Sequence, residues 1–318
     1  MTKRNPAIEL LRIVLMFGIC WLHCSSQGGA FRETKCLYYL LRPCVVGFVF
    51  ISGYFGMRFS WRKIAKLVLL CVWCAACSLI IKNLADGSAR WFDFGKDLIF
   101  AVAHGYWFVW SYILLMMVAP ILDKSVEGDA NEVNQRICPL LVAVFGWSAF
   151  RHFSWGADIL PASSGLDHLS VISFSAIYLV ARIVRQRGYD VQLSPCQALS
   201  IMGGCAVFCV MGLSHYDSIF CLLISVALFS LARRIMLPSW VSRLVLFVSP
   251  SMLAVYLLHQ TNGGFSFITS SQIMVANIRP AFIRTFISAL IVFFACVAFD
   301  MLRRCIWCLA HSILRKNK

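Results

Sequence analysis

Three side chains that can carry charge or bind a proton interrupt the first apolar stretch of the chain, "NPAIELLRIVLMFGICWLHCSS". They are Glu9, Arg12 and His23. A charged residue inside a membrane helix costs about 3 kcal/mol on insertion scales, so it is retained where it has a partner or a function. Neutral imidazole is a suitable proton acceptor near pH 7, and guanidinium binds phosphate and carboxylate oxygens. This stretch is therefore the first candidate for chemistry.

Helical periodicity relates these three residues to one another. Arg12 and His23 are separated by steps of about 100° that bring them back within about 20° of each other, about 16 Å apart along the helix axis. Glu9, three residues before Arg12, falls near the same face. Two interpretations stay open. Either Glu9 and Arg12 form an ion pair whose side chains reach the membrane surface, or this face of the helix serves catalysis.

The composition indicates which class of protein holds these residues. Of the 318 residues, 60% are hydrophobic and 14% are charged, and the mean hydropathy is +0.77. A soluble domain of this size needs more polar surface to cover its core, so the composition excludes one. We therefore expect a multi-pass membrane protein.

Apolar runs of about 20 residues, separated by polar, Pro or Gly clusters, predict ten membrane spans. Their approximate bounds are 7–24, 37–57, 64–82, 99–121, 137–153, 166–182, 196–213, 217–233, 243–261 and 281–302. The fifth to eighth are short, so nine or eleven spans are alternatives. The predicted fold is an all-α polytopic transmembrane helix bundle that forms a single domain over residues 1–318.

The Lys and Arg residues of the loops predict the orientation of this bundle. With the amino terminus inside, 19 of the 29 Lys and Arg lie on the cytoplasmic side and 9 lie outside, and Arg12 lies within the first span. Because cytoplasmic loops carry an excess of positive charge, both termini are predicted to be cytoplasmic. The net charge of +15 then follows from topology and from attraction to membrane lipids, so we expect no nucleic-acid partner. An anionic ligand reached from the cytoplasm is the alternative explanation.

Cysteine spacing raises the question of a metal site. Cys71, Cys74 and Cys77 in "CVWCAAC" share one helical face, and Cys305 and Cys308 form "CIWC". Neither group is accompanied by a fourth ligand or an acidic residue. Thiols in apolar segments behave as small hydrophobic groups, so we expect no bound metal.

Several segments together resemble the acyltransferase-3 family of integral membrane acyltransferases, which modify cell-surface glycans and lipids. Arg12 and His23 in the first helix, with Glu9 in "ELLR", resemble the most specific motif of that family. "VFISGYF" is similar to its Ser-Gly-aromatic motif, and the basic segment "WRKIAKLVLL" follows. "GYWFVWSYILLMMVAPIL" and "MLAVYLLHQ" resemble two later family segments. The resemblance extends from residue 5 to about residue 260.

The resemblance implies an O-acetyltransferase located in the inner (plasma) membrane. Such an enzyme belongs to the acyltransferases that transfer groups other than aminoacyl groups. The expected donor is acyl-CoA on the cytoplasmic side, above all acetyl-CoA, and the expected acceptor is a hydroxyl of a glycan or lipid-linked sugar. A sugar hydroxyl needs a base to attack a thioester, and His23 is the expected base. Arg12 would hold the donor, and Glu9 would orient the Arg12 guanidinium.

The other expected site residues form a donor group and an acceptor group. The donor group is Ser52, Gly53, Arg62, Lys63 and Lys66. Many family members have two Arg where this chain has Lys63 and Lys66, so point charges replace a bidentate phosphate clamp; an ordinary topology signal is the alternative. The acceptor group is His104, Trp107, Tyr112 and His259. His104 and His259 would bind the acceptor sugar or orient His23, and ordinary loop or interfacial histidines are the alternative. For Trp107 and Tyr112 the alternative is aromatic packing.

A function of another class stays open. A secondary transporter or flippase of a polysaccharide or lipid precursor would use Glu9, Arg12 and His23 as a proton or substrate path. The sequence shows no convincing inverted repeat and no paired Gly or Pro breaks in matching halves. A noncatalytic receptor or scaffold gives no reason for the shared face of Arg12 and His23. The enzyme is therefore the favoured hypothesis.

Overall fold

The computed structural model describes residues 4–26, 31–85, 93–152 and 171–316. The structure is all-helical, with 86% helix and no β-strand in those ranges, so the all-α prediction is confirmed. Six helical segments of the described chain are long and apolar enough to cross a membrane: Pro6–Ser26, Arg32–Phe55, Trp61–Leu84, Trp107–Ser125, Ser239–His259 and Ala281–Leu309. The count of ten spans and the cytoplasmic termini stay predictions.

The helices of the described ranges are numbered α1 to α15 in chain order. Their bounds are α1 Pro6–Ser26, α2 Phe31–Leu41, α3 Pro43–Phe55, α4 Trp61–Ala85, α5 Phe94–Gly105, α6 Trp107–Ser125, α7 Ala130–His152, α8 Val171–Arg187, α9 Tyr189–Gln192, α10 Pro195–Val210, α11 Ile219–Arg233, α12 Ser239–Val248, α13 Met252–His259, α14 Asn262–Met274 and α15 Ala281–Lys316. A short 3₁₀ helix, Ser249–Ser251, joins α12 to α13.

Three of the predicted spans consist of more than one helix. The second span contains α2 and α3, which are separate because Pro43 has no N–H to donate into the preceding turn. The fourth span contains α5 and α6, which are separated at Tyr106. The ninth span contains α12 and α13, with the 3₁₀ helix between them. The other predicted spans each overlap one helix, and residues 153 and 166–170 of the fifth and sixth spans lie outside the described residues. The short helix α9 and the helix α14 have no predicted counterpart.

The helices group into two compact units. Unit 1 consists of Met1–Lys35, Val68–Tyr106 and Leu237–Lys318. Unit 2 consists of Cys36–Leu67 and Trp107–Met236. The single acyltransferase domain over residues 1–318 stays a prediction.

Local signals fix the start of α1. The side-chain Oδ1 of Asn5 accepts a hydrogen bond from the backbone N–H of Ala7 at 2.9 Å. Pro6 occupies the first helical position, where a missing N–H removes no helical hydrogen bond. Glu9 lies in the first turn, where a carboxylate interacts favourably with the helix dipole. The helix then continues to Ser26 and carries both Arg12 and His23.

In unit 1, α1 packs along α15 through aromatic rings. Phe17 contacts Phe286 and Phe293 edge to face, at centroid distances of 5.5 and 5.8 Å. One turn later, Trp21 contacts Phe286 at 4.9 Å, and its indole N–H donates to Oγ1 of Thr285 at 3.2 Å. Edge-to-face pairs of this kind add to the stabilisation from burial. They hold the carboxyl half of α1 against α15.

In unit 2, α3 packs against α8 and α11. A Cβ added at Gly53 would lie 2.9 Å from the Cβ of Ala181 and 2.9 Å from backbone atoms of Tyr178, so the glycine permits this close approach. Toward α11, the ring of Phe229 lies 5.4 Å from Phe50 and 4.4 Å from Tyr54. Close glycine packing and aromatic contacts therefore fix α3 between its two neighbours.

Candidate functional site

Two histidines from distant parts of the chain form a hydrogen-bonded pair inside unit 1. Nε2 of His259 lies 2.9 Å from Nδ1 of His23, and the ring centroids are 5.0 Å apart. His259 is the last residue of α13 and is 1% exposed. The sequence left three roles open for His259: sugar binding, orientation of His23, or an ordinary interfacial histidine. The structure places it in direct contact with His23.

The hydrogen bonds assign the protons of the two rings when both are neutral. Nδ1 of His259 lies 2.6 Å from the backbone oxygen of Val255, and a carbonyl oxygen only accepts, so this nitrogen carries the proton. Nε2 of His259 is then unprotonated and accepts the bond from Nδ1–H of His23. The lone pair of His23 therefore resides on its Nε2, which is the atom able to remove a proton.

Neighbouring side chains restrict both rings. Sγ of Cys20 lies 3.6 Å from Nδ1 of His259, and the ring of Tyr256 stands edge-on to His259 at 6.0 Å. The ring of Phe265 stands edge-on to His23 at 6.2 Å. Sequence reasoning did not identify Val255, whose carbonyl selects the tautomer. The available signal is its position four residues before His259 on a helix.

The turn that follows His259 is held against α4. The side chain of Thr261 caps α14 by accepting from the backbone N–H of Gly264 at 3.1 Å. The hydroxyls of Ser78 on α4 and Thr261 form a short hydrogen bond. A Cβ at Gly263 would meet Ser78, so the glycine allows α4 to approach this turn. These contacts set the position of the carboxyl end of α13.

A cavity of about 220 Å³ adjoins His259, and we call it the apolar cavity. Besides His259, its lining consists of Ser78, Ile81, Leu258, Gly263, Gly264, Phe267, Ala295, Cys296 and Phe299. Ile81 is 53% exposed and Phe267 is 36% exposed, so the cavity opens on the apolar surface of unit 1. A lining of this kind suits a hydrocarbon group next to an imidazole.

Glu9 and Arg12 form an ion pair within α1. Nη1 of Arg12 lies 2.5 Å from Oε1 of Glu9, and the Arg12 side chain is 32% exposed. Glu9 itself is 5% exposed, and a buried carboxylate is stabilised by a close cation. The ion pair is compatible with both interpretations of the sequence, an interfacial pair or a catalytic face of α1. The contact between Arg12 and an acyl donor stays a prediction.

Two predicted residues of different groups meet in unit 2. The hydroxyl of Ser52 donates to the backbone oxygen of Phe48 at 2.9 Å, which uses its only proton. The hydroxyl of Tyr112 lies 3.1 Å from Oγ of Ser52 and is therefore the donor of that bond. Ser52 was predicted on the donor side and Tyr112 on the acceptor side. Gly53, next to Ser52, lies against Tyr178 and Ala181 of α8.

The remaining predicted residues are distributed over both units. Arg62, Lys63 and Lys66 occupy the first turns of α4 and are exposed. In unit 1, His104 is exposed and stacks on Phe100 at a centroid distance of 4.5 Å. In unit 2, the Trp107 ring lies 5.8 Å from the rings of both Phe108 and Tyr216. These contacts are structural, and contact with an acyl donor or a sugar stays a prediction.

A second cavity, of about 470 Å³, lies in unit 2 and was not predicted as a site; we call it the arginine cavity. It is lined by Phe55, Gly56, Met57, Arg58, Asp123, Arg182, Arg185 and Gln186. The sequence carried a signal for it, because Arg182 and Arg185 are three residues apart on α8 and therefore share a helical face. From the sequence alone, both residues contribute only to the excess of positive charge on the predicted cytoplasmic side.

The cysteines form no metal site in the described ranges. There, no group of three or more His, Cys, Asp or Glu is arranged to hold a metal ion. Cys71 and Cys74 are buried in α4, and Cys305 and Cys308 are exposed on α15. The absence of a metal cofactor stays a prediction.

Comparison with known proteins gives one match. A family model described as an acyltransferase domain, of the acyltransferase-3 type, matches residues 5–301. No curated protein and no solved structure gives a significant match. The matched range includes Glu9, Arg12, His23 and His259, and it covers essentially the whole chain.

Proposed function

Since the chain belongs to the acyltransferase-3 family, we propose that it is a membrane-embedded O-acetyltransferase of the inner (plasma) membrane. It moves an acetyl group from cytoplasmic acetyl-CoA to a hydroxyl of a cell-surface glycan or lipid-linked sugar. The observation that carries this proposal is the hydrogen bond between His23 and His259. It leaves an unprotonated nitrogen on the histidine of the most specific family motif.

In the proposed reaction, Nε2 of His23 removes the proton from the acceptor hydroxyl while its oxygen attacks the thioester carbon. A carbon–oxygen bond forms, and the carbonyl oxygen becomes an oxyanion. Collapse of this intermediate breaks the carbon–sulfur bond. The leaving thiolate takes the proton from the His23 imidazolium, so the enzyme returns to its starting state. His259 is a positioning residue, since it holds Nδ1–H of His23 throughout.

The apolar cavity is the proposed location of the acyl group. It adjoins His259, and the other residues of its lining are mostly apolar. The acyl methyl or a longer chain would lie there, with the thioester carbon near His23. Burial of hydrocarbon beside the catalytic pair would orient the donor for attack.

The rest of the donor is proposed to extend toward the cytoplasm. Arg12 lies on the same face of α1 as His23, about 16 Å away along the helix axis. Acyl-CoA is an extended molecule with its thioester at one end and its phosphates toward the other, so one donor could contact both positions. Arg62, Lys63 and Lys66 would meet the phosphates as they enter. His104, Trp107 and Tyr112 are proposed to contact the acceptor.

Glycan mass spectrometry tests the proposal. Cells that express the wild-type chain should carry alkali-labile acetyl groups on a surface glycan, and cells that express His23→Ala at the same membrane level should lack them. Isotope-labelled acetyl-CoA supplied to inside-out vesicles should transfer its label to that glycan. Movement of unmodified glycan across the membrane, with no ester formed, would instead identify a transporter or flippase.

A further inference from the structure

The arginine cavity is built where three helices of unit 2 end. Tyr178 of α8 connects them: its hydroxyl donates to Oδ1 of Asp123 at 2.8 Å, near the end of α6. The same hydroxyl oxygen accepts the backbone N–H of Met57 at 3.1 Å, just after α3. The cavity therefore has walls from three helices that are joined by hydrogen bonds.

Arg182 is fixed in one wall of the cavity. Its Nε lies 2.8 Å from Oδ1 of Asp123, and its side chain is 19% exposed. The other end of the guanidinium lies beside Gly56, where an added Cβ would be 3.2 Å from Nη1. Gly56 has φ of +79°, a conformation that favours glycine. The chain thus leaves space for the guanidinium where another residue would place a side chain.

Arg185 is fixed one turn further along α8. Its Nη1 donates to the backbone oxygen of Tyr54 at 2.9 Å, and its guanidinium carbon lies 5.7 Å from the centroid of the Tyr54 ring. Tyr54 is buried, and Nη1 of Arg233 donates to its hydroxyl at 2.5 Å. A guanidinium held in this way loses little conformational entropy when it binds a further group.

The charge and size of the cavity indicate the class of ligand. Three Arg line it against one carboxylate, Asp123, which already accepts from Tyr178 and contacts Arg182. The formal excess of two positive charges, presented by planar guanidinium groups, suits phosphate oxygens. A volume of about 470 Å³ lies in the range of small-molecule and cofactor sites and exceeds what a single phosphate needs.

We infer that the arginine cavity binds the phosphate groups of a nucleotide, namely those of the acyl-CoA donor. Arg182 and Arg185 supply the fixed donors, and Arg58 adds a third cation from the exposed side. The identity of the nucleotide rests on the proposed function, whereas the phosphate chemistry rests on the cavity alone. The exposed cations Arg62 and Lys63 differ in kind, because they attract an anion at long range and are screened by salt.

The orientation predicted from the loops is consistent with this inference. It places Arg58, Arg182 and Arg185 on the cytoplasmic side, where a soluble nucleotide is available. A lipid headgroup offers the same phosphate chemistry, so the test must separate the two sources.

Coenzyme A itself is the probe, measured by calorimetry on the full chain in phosphatidylcholine nanodiscs. Arg58→Gln and Arg185→Gln should each weaken binding about tenfold, since a hydrogen bond to a charged group is lost. Arg182→Lys should also weaken it, although the charge beside Asp123 remains. Arg187→Gln is the matched control, because it removes one charge from the same helix outside the cavity; its affinity should stay within about twofold.

The outcomes separate this inference from the proposed function. Wild-type affinity for coenzyme A in Arg58→Gln and Arg185→Gln, or no binding by the wild type, would overturn the inference. To test a lipid headgroup as the ligand, phosphatidylglycerol is added to the nanodiscs and the lipid retained by the protein is measured by native mass spectrometry. If Arg185→Gln reduces lipid retention but leaves the affinity for coenzyme A unchanged, the nucleotide assignment is also overturned. The calorimetry measures binding without an acceptor. Failure to form an ester in the glycan experiment would therefore overturn the proposed function without changing the binding result.

Discussion

Nε2 of His259 lies 2.9 Å from Nδ1 of His23, although 236 residues separate them in the chain. The carbonyl of Val255 holds the proton of His259 on Nδ1, at a distance of 2.6 Å. The bond between the rings therefore runs in one direction when both are neutral, from His23 to His259. It leaves Nε2 of His23 as the proton acceptor of the pair.

Replacement of His23 by Ala should abolish acyl transfer while the protein still inserts and folds. Loss of a catalytic base typically costs about 10²- to 10⁴-fold in rate. Transfer is measured as alkali-labile ester per mole of membrane protein. Ser26→Ala is the control on the same helix, since the Ser26 hydroxyl donates only to the backbone oxygen of His23 at 3.0 Å. Transfer by His23→Ala at the rate of that control would rule out His23 as the base.

Substitutions of His259 should rank by their ability to accept a hydrogen bond. His259→Gln retains an acceptor for Nδ1–H of His23 and should keep more activity than His259→Leu, which has none. The loss should appear in kcat more than in KM, and the pH profile of the Leu variant should change because the tautomer of His23 is no longer fixed. Equal activity and equal pH profiles for the two variants would remove the positioning role.

Variants of Arg12 and Glu9 separate catalysis from burial. Arg12→Lys keeps a cation near Glu9 but loses the planar fork, so we expect a folded protein with little transfer. Arg12→Ala should lower thermal stability as well, because the buried Glu9 loses the cation 2.5 Å away. Glu9→Gln should be milder for transfer.

The double variant Glu9→Gln with Arg12→Ala provides the control for that experiment. It removes the unpaired carboxylate, so thermal stability should recover while transfer stays lost. Wild-type transfer by Arg12→Lys would contradict a geometric role for Arg12 and leave it as an interfacial ion pair.

The apolar cavity should determine which acyl groups are accepted. Ala295 lines it on α15 and is exposed, so Ala295→Phe fills space without strain in a buried core. Transfer from butyryl- or hexanoyl-CoA should fall more than transfer from acetyl-CoA, in competition assays with paired donors. Ala298→Phe, on the same helix outside the cavity, is the matched control. An unchanged donor preference in Ala295→Phe would place the acyl group elsewhere.

Gly53→Ala should destabilise unit 2 through contact with α8. The new Cβ would lie 2.9 Å from the Cβ of Ala181, and overpacking of this kind costs about 1–3 kcal/mol. The free energy of unfolding in detergent measures it. Gly203→Ala on α10 is the control, since nothing lies within 4 Å of its added Cβ, and it should not destabilise. If Gly53→Ala is as stable as Gly203→Ala, the close approach of α3 and α8 is not supported.

The sequence by itself determined the helical class and much of the candidate site. Apolar runs of about 20 residues predict membrane helices, because a helix satisfies its backbone hydrogen bonds within one segment. The period of the helix fixed the shared face of Arg12 and His23, because angles within one helix follow from the numbering alone. Motif resemblance added His259 as a candidate, with two possible functional roles.

Only the tertiary structure decided which residues meet. Nothing in the sequence says that α1 faces α13, or that α3, α6 and α8 end around the same cavity. Most helices here are apolar over most of their surface, and since lipid is as apolar as a neighbouring helix, hydrophobicity does not distinguish a packed face from a lipid-facing one. Close packing at Gly53 and Gly263 and the bonds between buried polar groups make that choice. Those interactions depend on three-dimensional fit, which the helical period of one segment does not contain.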